Sequence, residues 1–318
     1  MSTFLATWRA DLRAGFTVFL LALPLSLGIS IASQFPPLAG LITAIVGGIV
    51  AGLVGPSRYT IKGPAAGMIA VVAAAVLDLG YRQTLAVVCV AAVFQIGLAL
   101  LRAGRLTRYV PHAVTHGMMA AIGLIIISKQ LHIMLGVPVT ASSPLRLFAA
   151  IPTSLANLNP EIALLGGLAF LLVACWPKLN LRFTRPVPAP LVVLALAIPL
   201  TMLFDIPHAH SYEFLGERFY VGPNHLLRIP AEFIQSLSFP DFGAVGRFTF
   251  WPHVLTFLAV GSIESSLTVQ AIEGSGPKAQ APLNADLFAV GVGNLLAGLV
   301  GGLPMISEVV RSKANVDA

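Results

Sequence analysis

Long stretches without charge constrain this chain more than any other feature of its sequence. Residues 16–31, 38–54 and 113–128 contain no Asp, Glu, Lys or Arg, and each approaches the roughly 20 apolar residues that a helix needs to cross a bilayer. Overall 57% of the residues are hydrophobic and 10% are charged, whereas a soluble domain has about 25% charged residues. The sequence therefore predicts an integral membrane protein with many spans.

Apolar segments separated by short polar loops predict ten spans. They lie at about 14–34, 38–55, 64–79, 83–102, 112–128, 161–176, 187–204, 250–270, 284–301 and, for a last short one, from about 305. Starting inside the cell places thirteen of the nineteen Lys and Arg residues in cytoplasmic segments, Lys62 among them. By the positive-inside rule, this distribution predicts a cytoplasmic N-terminus. The outer segment 205–249 is predicted to contain a surface helix at about 230–237.

A short motif recurs at a fixed offset. The sequence AGLVG occupies 51–55 and again 297–301, and Gly47 and Gly293 keep the same spacing. Both copies end an apolar span and precede a short polar break. Because seven spans separate them, an odd number, the second copy is predicted to face the other way. An inverted repeat is typical of secondary transporters, which bind their ligand near the bilayer midplane between the repeats.

Each break is predicted to hold a short extended segment and then a helix start. Residues 59–61 favour extended structure, and Gly63-Pro64 predicts a helix start because proline at the first helical position loses no hydrogen bond. After the second copy, Ser307 is a candidate N-cap. Two half-helices of opposite direction would point their N-terminal ends at each other, each with about half a positive charge and unpaired N–H groups. That arrangement predicts an anion site; ordinary Gly/Pro loops are the alternative.

Ionisable residues inside the predicted spans are functional candidates because charge is costly at that depth. Glu264 lies in the middle of the eighth span, with Thr268 one turn later on the same face. Together they can hold Na⁺ or carry a proton; a Glu paired with a basic side chain is the alternative. Arg311 would place a fork of donors beside an anion, or else extend to the interface. Glu308 lies on the face of Arg311, where it gates, couples protons or orients the arginine.

Other classes of function find little support. His112 and His116 have a spacing that can bind metal, but no third ligand lies nearby, so no metal site is predicted. Net charge is +6, yet no basic run is interleaved with aromatic residues, which argues against nucleic-acid binding. The patterns Gly-x-Ser-x-Gly and His-Glu-x-x-His are absent from the sequence, so an intramembrane enzyme is not favoured.

Several segments resemble the SulP sulfate-permease family of anion transporters, which shares its fold with nucleobase symporters. The similar segments follow the family's order along most of the chain and are 22–41, 55–58, 63–67, 109–114, 261–265, 293–294 and 301–315. The resemblance implies an all-α membrane fold with fourteen spans in a seven-plus-seven inverted repeat. About ten of them would lie in this chain, which is therefore expected to be a fragment.

The resemblance also implies a division into domains. Spans 1–4 in residues 1–103 and spans 8–10 in residues 248–318 would belong to a core domain. Spans 5–7 in residues 104–205 would belong to a gate domain, and residues 206–247 would form an extracytoplasmic loop. Four further spans and a regulatory domain, which often follows, would lie outside the chain. The family's usual assembly is a homodimer.

By the same resemblance, the anion would bind between the starts of spans three and ten. The matching positions are Ala65, Ala66, Gly67, Ser307 and Arg311. The implied activity is alternating-access transport of sulfate, bicarbonate or a similar small anion across a bacterial-type inner or plasma membrane. A nucleobase symporter on the same fold and an uncoupled anion channel stay open as alternatives; no enzymatic activity is expected.

Glu264 matches the carboxylate of the eighth span that the family uses in cation coupling. Thr268 and Glu308 are the other candidates for that role, with Na⁺ or H⁺ as the coupling ion and no other cofactor. Glu308 departs from the family pattern, because many relatives carry a small residue at this position. That departure leaves the identity of the anion open.

Overall fold

The computed structural model describes residues 2–57, 59–104, 112–138, 143–179, 189–226, 237–273 and 282–317. These residues are mostly helical, as predicted. The chain divides into two compact units, Met1–Thr115 with Ile229–Ala318, and His116–Arg228. The core and gate roles of the predicted domains stay predictions.

The secondary-structure elements are, in chain order, α1 (Ser2–Ala32), α2 (Pro37–Val46), α3 (Gly52–Val54), β1 (Ile61–Pro64), α4 (Ile69–Leu79), α5 (Tyr81–Leu100), α6 (His112–Met134), α7 (Pro144–Ala149), α8 (Ile151–Ala156), α9 (Pro160–Cys175), α10 (Ala189–Leu203), β2 (His210–Phe214), β3 (Glu217–Val221), α11 (Phe250–Glu273), α12 (Leu283–Val300), β4 (Met305–Glu308) and α13 (Val309–Asp317). A π-helical turn over Gly47–Ala51 joins α2 to α3, and a 3₁₀ turn over Ala66–Met68 precedes α4.

Five helical segments of the described residues are long and apolar enough to cross a membrane: Asp11–Ala32, Pro37–Val54, Tyr81–Leu100, Phe250–Glu273 and Leu283–Val300. Shorter apolar helices occupy Ala66–Leu79, Gly123–Met134, Pro160–Cys175 and Val192–Leu203. Each overlaps a predicted span, although Gly123–Met134 extends past the predicted end of the fifth span at 128. This supports a membrane protein with several spans. The count of ten spans and the inverted repeat stay predictions.

Small residues let the helices of the first unit approach closely. A Cβ atom at Gly298 of α12 would lie 2.8 Å from Sγ of Cys89 on α5, and one at Gly291 would lie 2.8 Å from the side chain of Ile96. Neither position has room for a larger residue. This matches membrane helix packing, in which small residues allow backbones to come together.

The two predicted breaks meet as a pair of strands. β1 and β4 are antiparallel, with Ile61 opposite Glu308 and Pro64 opposite Met305. We call this pair the β1–β4 ribbon. Each strand follows one copy of the repeated motif, so the extended segments expected before α4 and α13 are both present.

Side chains satisfy the backbone of the ribbon where the partner strand does not. The N–H of Ile61 donates to Oγ of Ser312 at 2.9 Å, and that of Ser307 donates to Oγ of Ser265 at 3.1 Å. The side chain of Asn294 accepts from the N–H of Met305 at 2.5 Å and donates to its carbonyl at 3.1 Å. Non-helical backbone at membrane depth is tolerated only when protein or a water-filled cavity surrounds it, and here protein side chains meet that requirement.

Two predicted helix starts are wrong because the ribbon extends past them. Gly63 and Pro64 belong to β1, and the 3₁₀ turn before α4 begins only at Ala66. Ser307 lies inside β4 and does not cap α13, which begins at Val309. Proline is tolerated in edge strands, and both strands of a two-stranded ribbon are edge strands. Pro64 therefore fits either conformation, and strand pairing decides between them.

The second unit contains a β-hairpin that the sequence did not predict. β2 and β3 are antiparallel and joined at Leu215 and Gly216, whose φ values are 53° and 83°. Positive φ at both turn residues is typical of tight hairpins. Asn159, at the start of α9, accepts from the Tyr212 hydroxyl at 2.9 Å and donates to the Tyr220 carbonyl at 3.0 Å. Residues 230–236 of the predicted surface helix at 230–237 lie outside the described residues.

Candidate functional site

The β1–β4 ribbon separates two groups of polar side chains. Successive side chains of a strand point to opposite faces of the sheet, and residues directly opposite each other share a face. Lys62 is opposite Ser307, so their side chains share one face, which we call the lysine face. Glu308 is next to Ser307 and points to the other side, which we call the arginine face. The adjacent candidate residues Ser307 and Glu308 therefore lie on different faces of the ribbon.

On the arginine face, Arg311 is buried and paired. Its Nε lies 2.8 Å from Oε2 of Glu308, and only 1% of Arg311 and 5% of Glu308 is exposed. Nη2 donates to Oγ of Ser26 at 2.9 Å. A Cβ atom at Gly63 would lie 3.0 Å from Cζ of Arg311, so the guanidinium lies directly against β1. Arg311 therefore does not extend to the membrane interface, and Glu308 compensates its charge in this conformation.

Glu264 covers the start of α4. The N–H of Gly67 donates to its carboxylate, and a Cβ atom at Gly67 would lie 2.6 Å from Cδ of Glu264. The backbone can approach the carboxylate this closely only because residue 67 is glycine. Glu264 is 6% exposed, and the group it accepts from here is a backbone amide.

Of the buried carboxylate oxygens that lack a hydrogen-bond partner within the part of the chain that the structure describes, two belong to candidate site residues. They are Oε2 of Glu264 and Oε1 of Glu308. Leaving a buried acceptor unpaired costs about 1–3 kcal/mol, and more for a charged group. Such oxygens therefore favour a proton or a cation nearby. Thr268 is also buried, one helical turn after Glu264.

The other predicted anion-binding residues fall into two places. Ala65 is buried and its N–H donates to the Pro304 carbonyl at 2.9 Å, while Ala66 is half-buried beside Gly67. Ser307 is fully buried, but its hydroxyl donates to Oδ2 of Asp286 at 3.0 Å, on the lysine face. The structure thus brings Ala65, Ala66 and Gly67 to the start of α4 and turns the Ser307 hydroxyl away from Arg311.

A second buried ion pair was missed by sequence reasoning. Nζ of Lys62 lies 2.8 Å from Oδ1 of Asp286, and these side chains are 2% and 1% exposed. The positive-inside count treated Lys62 as a residue of a cytoplasmic segment. Its position between two Gly-Pro pairs, inside the predicted break, was the one signal that it could enter the protein. The sequence offered no signal that Asp286 would be its partner.

Comparison with known proteins identifies the family. The model of the sulfate permease family matches residues 8–318. The chain belongs to this family. The protein named Putative sulfate transporter YvdB, from Bacillus subtilis, is 26% identical over 317 residues, which cover 98% of this chain and 56% of that protein. The bicarbonate transporter BicA of Picosynechococcus sp. is 28% identical over 324 residues, which cover 98% of this chain and 54% of BicA.

The solved structure of a bicarbonate transporter domain also matches this chain. The transmembrane domain of a cyanobacterial bicarbonate transporter BicA superposes with a TM-score of 0.74 at 26% identity, covering 98% of this chain and 76% of that one. The chain spans about half the length of the curated relatives it matches. These relatives are named as transporters and not as enzymes, as the sequence led us to expect.

Proposed function

We propose that the protein is a secondary active transporter of a small inorganic anion of the sulfate or bicarbonate class, coupled to Na⁺ or H⁺. The observation that carries this proposal is the start of α4, where the Gly67 N–H already holds a carboxylate, that of Glu264. Free N–H groups and the partial positive charge at a helix start suit a small anion. The names of the relatives point to the same substrate class.

The anion would bind between the start of α4 and Arg311. Ala65, Ala66 and Gly67 would contribute backbone, and Arg311 would contribute a fork of charged donors. Binding to Arg311 requires the anion to compete with Glu308, which now lies 2.8 Å from Nε. For Ser307 to bind the anion as well, its hydroxyl would have to leave Asp286.

The proposed coupling follows from the position of Glu264. An ionised Glu264 occupies the Gly67 N–H and repels an incoming anion, because like charges repel strongly in a medium of low dielectric constant. A proton or a Na⁺ ion on Glu264, with Thr268 and Glu308 as further ligands, would remove that repulsion. Anion and cation would then bind together, which is the requirement for symport.

The remaining parts of the proposal concern the whole transporter. Alternating access would use the first compact unit as the core domain and the second as part of the gate. We also propose that the N-terminus faces the cytoplasm and that the full-length protein is a homodimer. Of the thirteen Lys and Arg residues in predicted cytoplasmic segments, Lys62 and Arg311 are buried. The other eleven still outnumber the six predicted on the other side and support that orientation.

Uptake by the full-length protein in proteoliposomes tests the function. We expect accumulation of labelled sulfate or bicarbonate that increases with an inward Na⁺ or H⁺ gradient and is not competed by uracil. Empty liposomes are the control. If neither anion enters with either gradient, the proposal is wrong, and competition by uracil would support a nucleobase symporter instead.

Replacing Gly67 with alanine is expected to weaken anion binding about tenfold or more. The new Cβ would overlap the Glu264 carboxylate and obstruct the approach to the Gly67 N–H, where the anion would bind. Loss of one hydrogen bond to a charged group costs about 1.5–3 kcal/mol, and 1.4 kcal/mol corresponds to tenfold in affinity. The measurement is KM for anion uptake. Gly97→Ala is the matched control, because a Cβ there would meet no atom within 4 Å. Equal KM values in the two variants would contradict the proposed site.

A further inference from the structure

The lysine face of the ribbon holds a carboxylate that is surrounded by donors. Asp286 lies in the first turn of α12 and is 1% exposed. Its Oδ1 accepts from Nζ of Lys62 at 2.8 Å and from Oγ of Ser57 at 2.9 Å. Its Oδ2 accepts from Oγ of Ser265 at 3.3 Å and from Oγ of Ser307 at 3.0 Å. We call these four donors the Asp286 cage.

The cage saturates the carboxylate. An ionised carboxylate has about four lone-pair sites, and each of the four donors approaches one of its oxygens. The donors come from four separate segments: the connection before β1, β1 itself, α11 and β4. The start of α12 adds a partial positive charge. Everything that faces these two oxygens is therefore suited to a negative group.

Other contacts hold Lys62 and the Ser307 backbone in place independently of Asp286. The Lys62 ammonium also donates to Oγ1 of Thr60 at 2.7 Å and to the Thr60 carbonyl at 3.3 Å. The Ser307 backbone is fixed by its N–H bond to Ser265. Donors that are held before a ligand arrives lose little freedom on binding it. The cage is thus built in the manner of a binding site.

We propose that the Asp286 cage is a second oxyanion site, which the Asp286 side chain fills in this conformation. The ligand class is a planar oxyanion with one negative charge, such as formate or bicarbonate, because that head has the shape of the carboxylate now bound. The one ammonium balances a single charge, and a buried charge without a partner is costly, so the site disfavours sulfate. Ser57 is half-buried, so the site is closest to the protein surface at this residue.

This site is distinct from the one at Gly67 and Arg311. Ser307 was expected to bind the transported anion through its hydroxyl, and in this structure that hydroxyl belongs to the cage. Lys62, the only charged donor of the cage, takes no part in the proposed transport site. The two proposals can therefore fail separately.

Emptying the cage is the test. In the full-length protein in detergent, Asp286→Ala leaves Lys62 and the three serines in place, and we expect formate to raise its Tm relative to chloride at equal ionic strength. At about ten times Kd the expected rise is about 1–2 °C for a protein of this size or larger. Asp286→Asn keeps the cage filled with a neutral group of the same shape and is expected to show no such rise beyond that of the unmodified protein. The double variant Asp286→Ala with Lys62→Met lacks the charged donor, so formate is not expected to raise its Tm either.

Three outcomes would overturn the proposal. The first is an equal formate response in Asp286→Ala and Asp286→Asn, and the second is a response that survives Lys62→Met. The third is an Asp286→Ala protein that cannot be isolated even in formate while Asp286→Asn can, because formate should replace the missing carboxylate. All three are read from stability and not from uptake, so they do not depend on the transport function.

Discussion

Replacing Arg311 with methionine is expected to reduce anion uptake about thirtyfold or more and to lower the free energy of unfolding by about 3–5 kcal/mol. Both effects follow from the burial of the pair that Arg311 forms with Glu308, at 2.8 Å and almost without exposure. Removing one partner of a buried ion pair leaves the other charge uncompensated, which costs about 3–5 kcal/mol. Loss of the charged fork removes at least about 2 kcal/mol of interaction with an anion, or more than tenfold in affinity.

The double variant Arg311→Met with Glu308→Gln separates the two effects. It removes the uncompensated charge, so we expect it to regain about 2 kcal/mol or more of the lost stability, while uptake stays absent. Uptake and thermal or denaturant unfolding are the two measurements. Arg247→Met is the control for loss of an arginine, because Arg247 is exposed and its change should stay within about 0.5 kcal/mol. Recovery of uptake in the double variant would show that Arg311 has a structural role alone.

The second large effect is expected from Glu264→Gln. The amide keeps the shape of the side chain and can still accept from the Gly67 N–H, but it carries neither a charge nor a titratable proton. Accumulation driven by a cation gradient should therefore fall by about tenfold or more, since coupling free energies between two ligands are typically about 1–3 kcal/mol. Exchange of labelled for unlabelled anion, which needs no gradient, should continue.

The measurement compares gradient-driven accumulation with exchange at equilibrium in the same proteoliposomes. Glu273→Gln is the matched control, because Glu273 ends the same helix and its Oε1 accepts from the Tyr59 N–H in an exposed position. Accumulation by Glu264→Gln at the level of the control would exclude Glu264 as the coupling residue. Anion currents without accumulation in the unmodified protein would favour the channel alternative.

The structural environment of candidate residues could be predicted from sequence where that environment is local, while their roles in binding and coupling stay predictions. Glu264 has apolar and small neighbours along its own helix, so its burial follows from its span alone. Gly67 and Ala66 follow a Gly-Pro break, and the extended segments before α4 and α13 were expected from such breaks. A pairing of Glu308 with Arg311 was one of the possibilities that their separation by three residues offered, and the structure shows it.

Prediction failed where partners are distant in sequence. Lys62 was assigned to a cytoplasmic segment, yet it forms a buried pair with Asp286. Ser307 was expected beside Arg311, yet its hydroxyl points to the other face of the ribbon. The hairpin of β2 and β3 was missed, because a short polar loop gives little periodicity from which strands can be recognised.

The sequence by itself determined that the chain enters a membrane, where its helices break, and that Glu264 and Arg311 lie among apolar spans. Charged side chains and unpaired backbone groups are costly in the hydrocarbon core. That cost applies to every membrane segment, whatever its place in the fold, so these properties can be predicted from the sequence. The tertiary structure alone decided the register of β1 against β4. A shift of one residue would exchange the two faces of each strand, so only packing across more than two hundred residues places Lys62 with Asp286 and leaves Glu308 with Arg311.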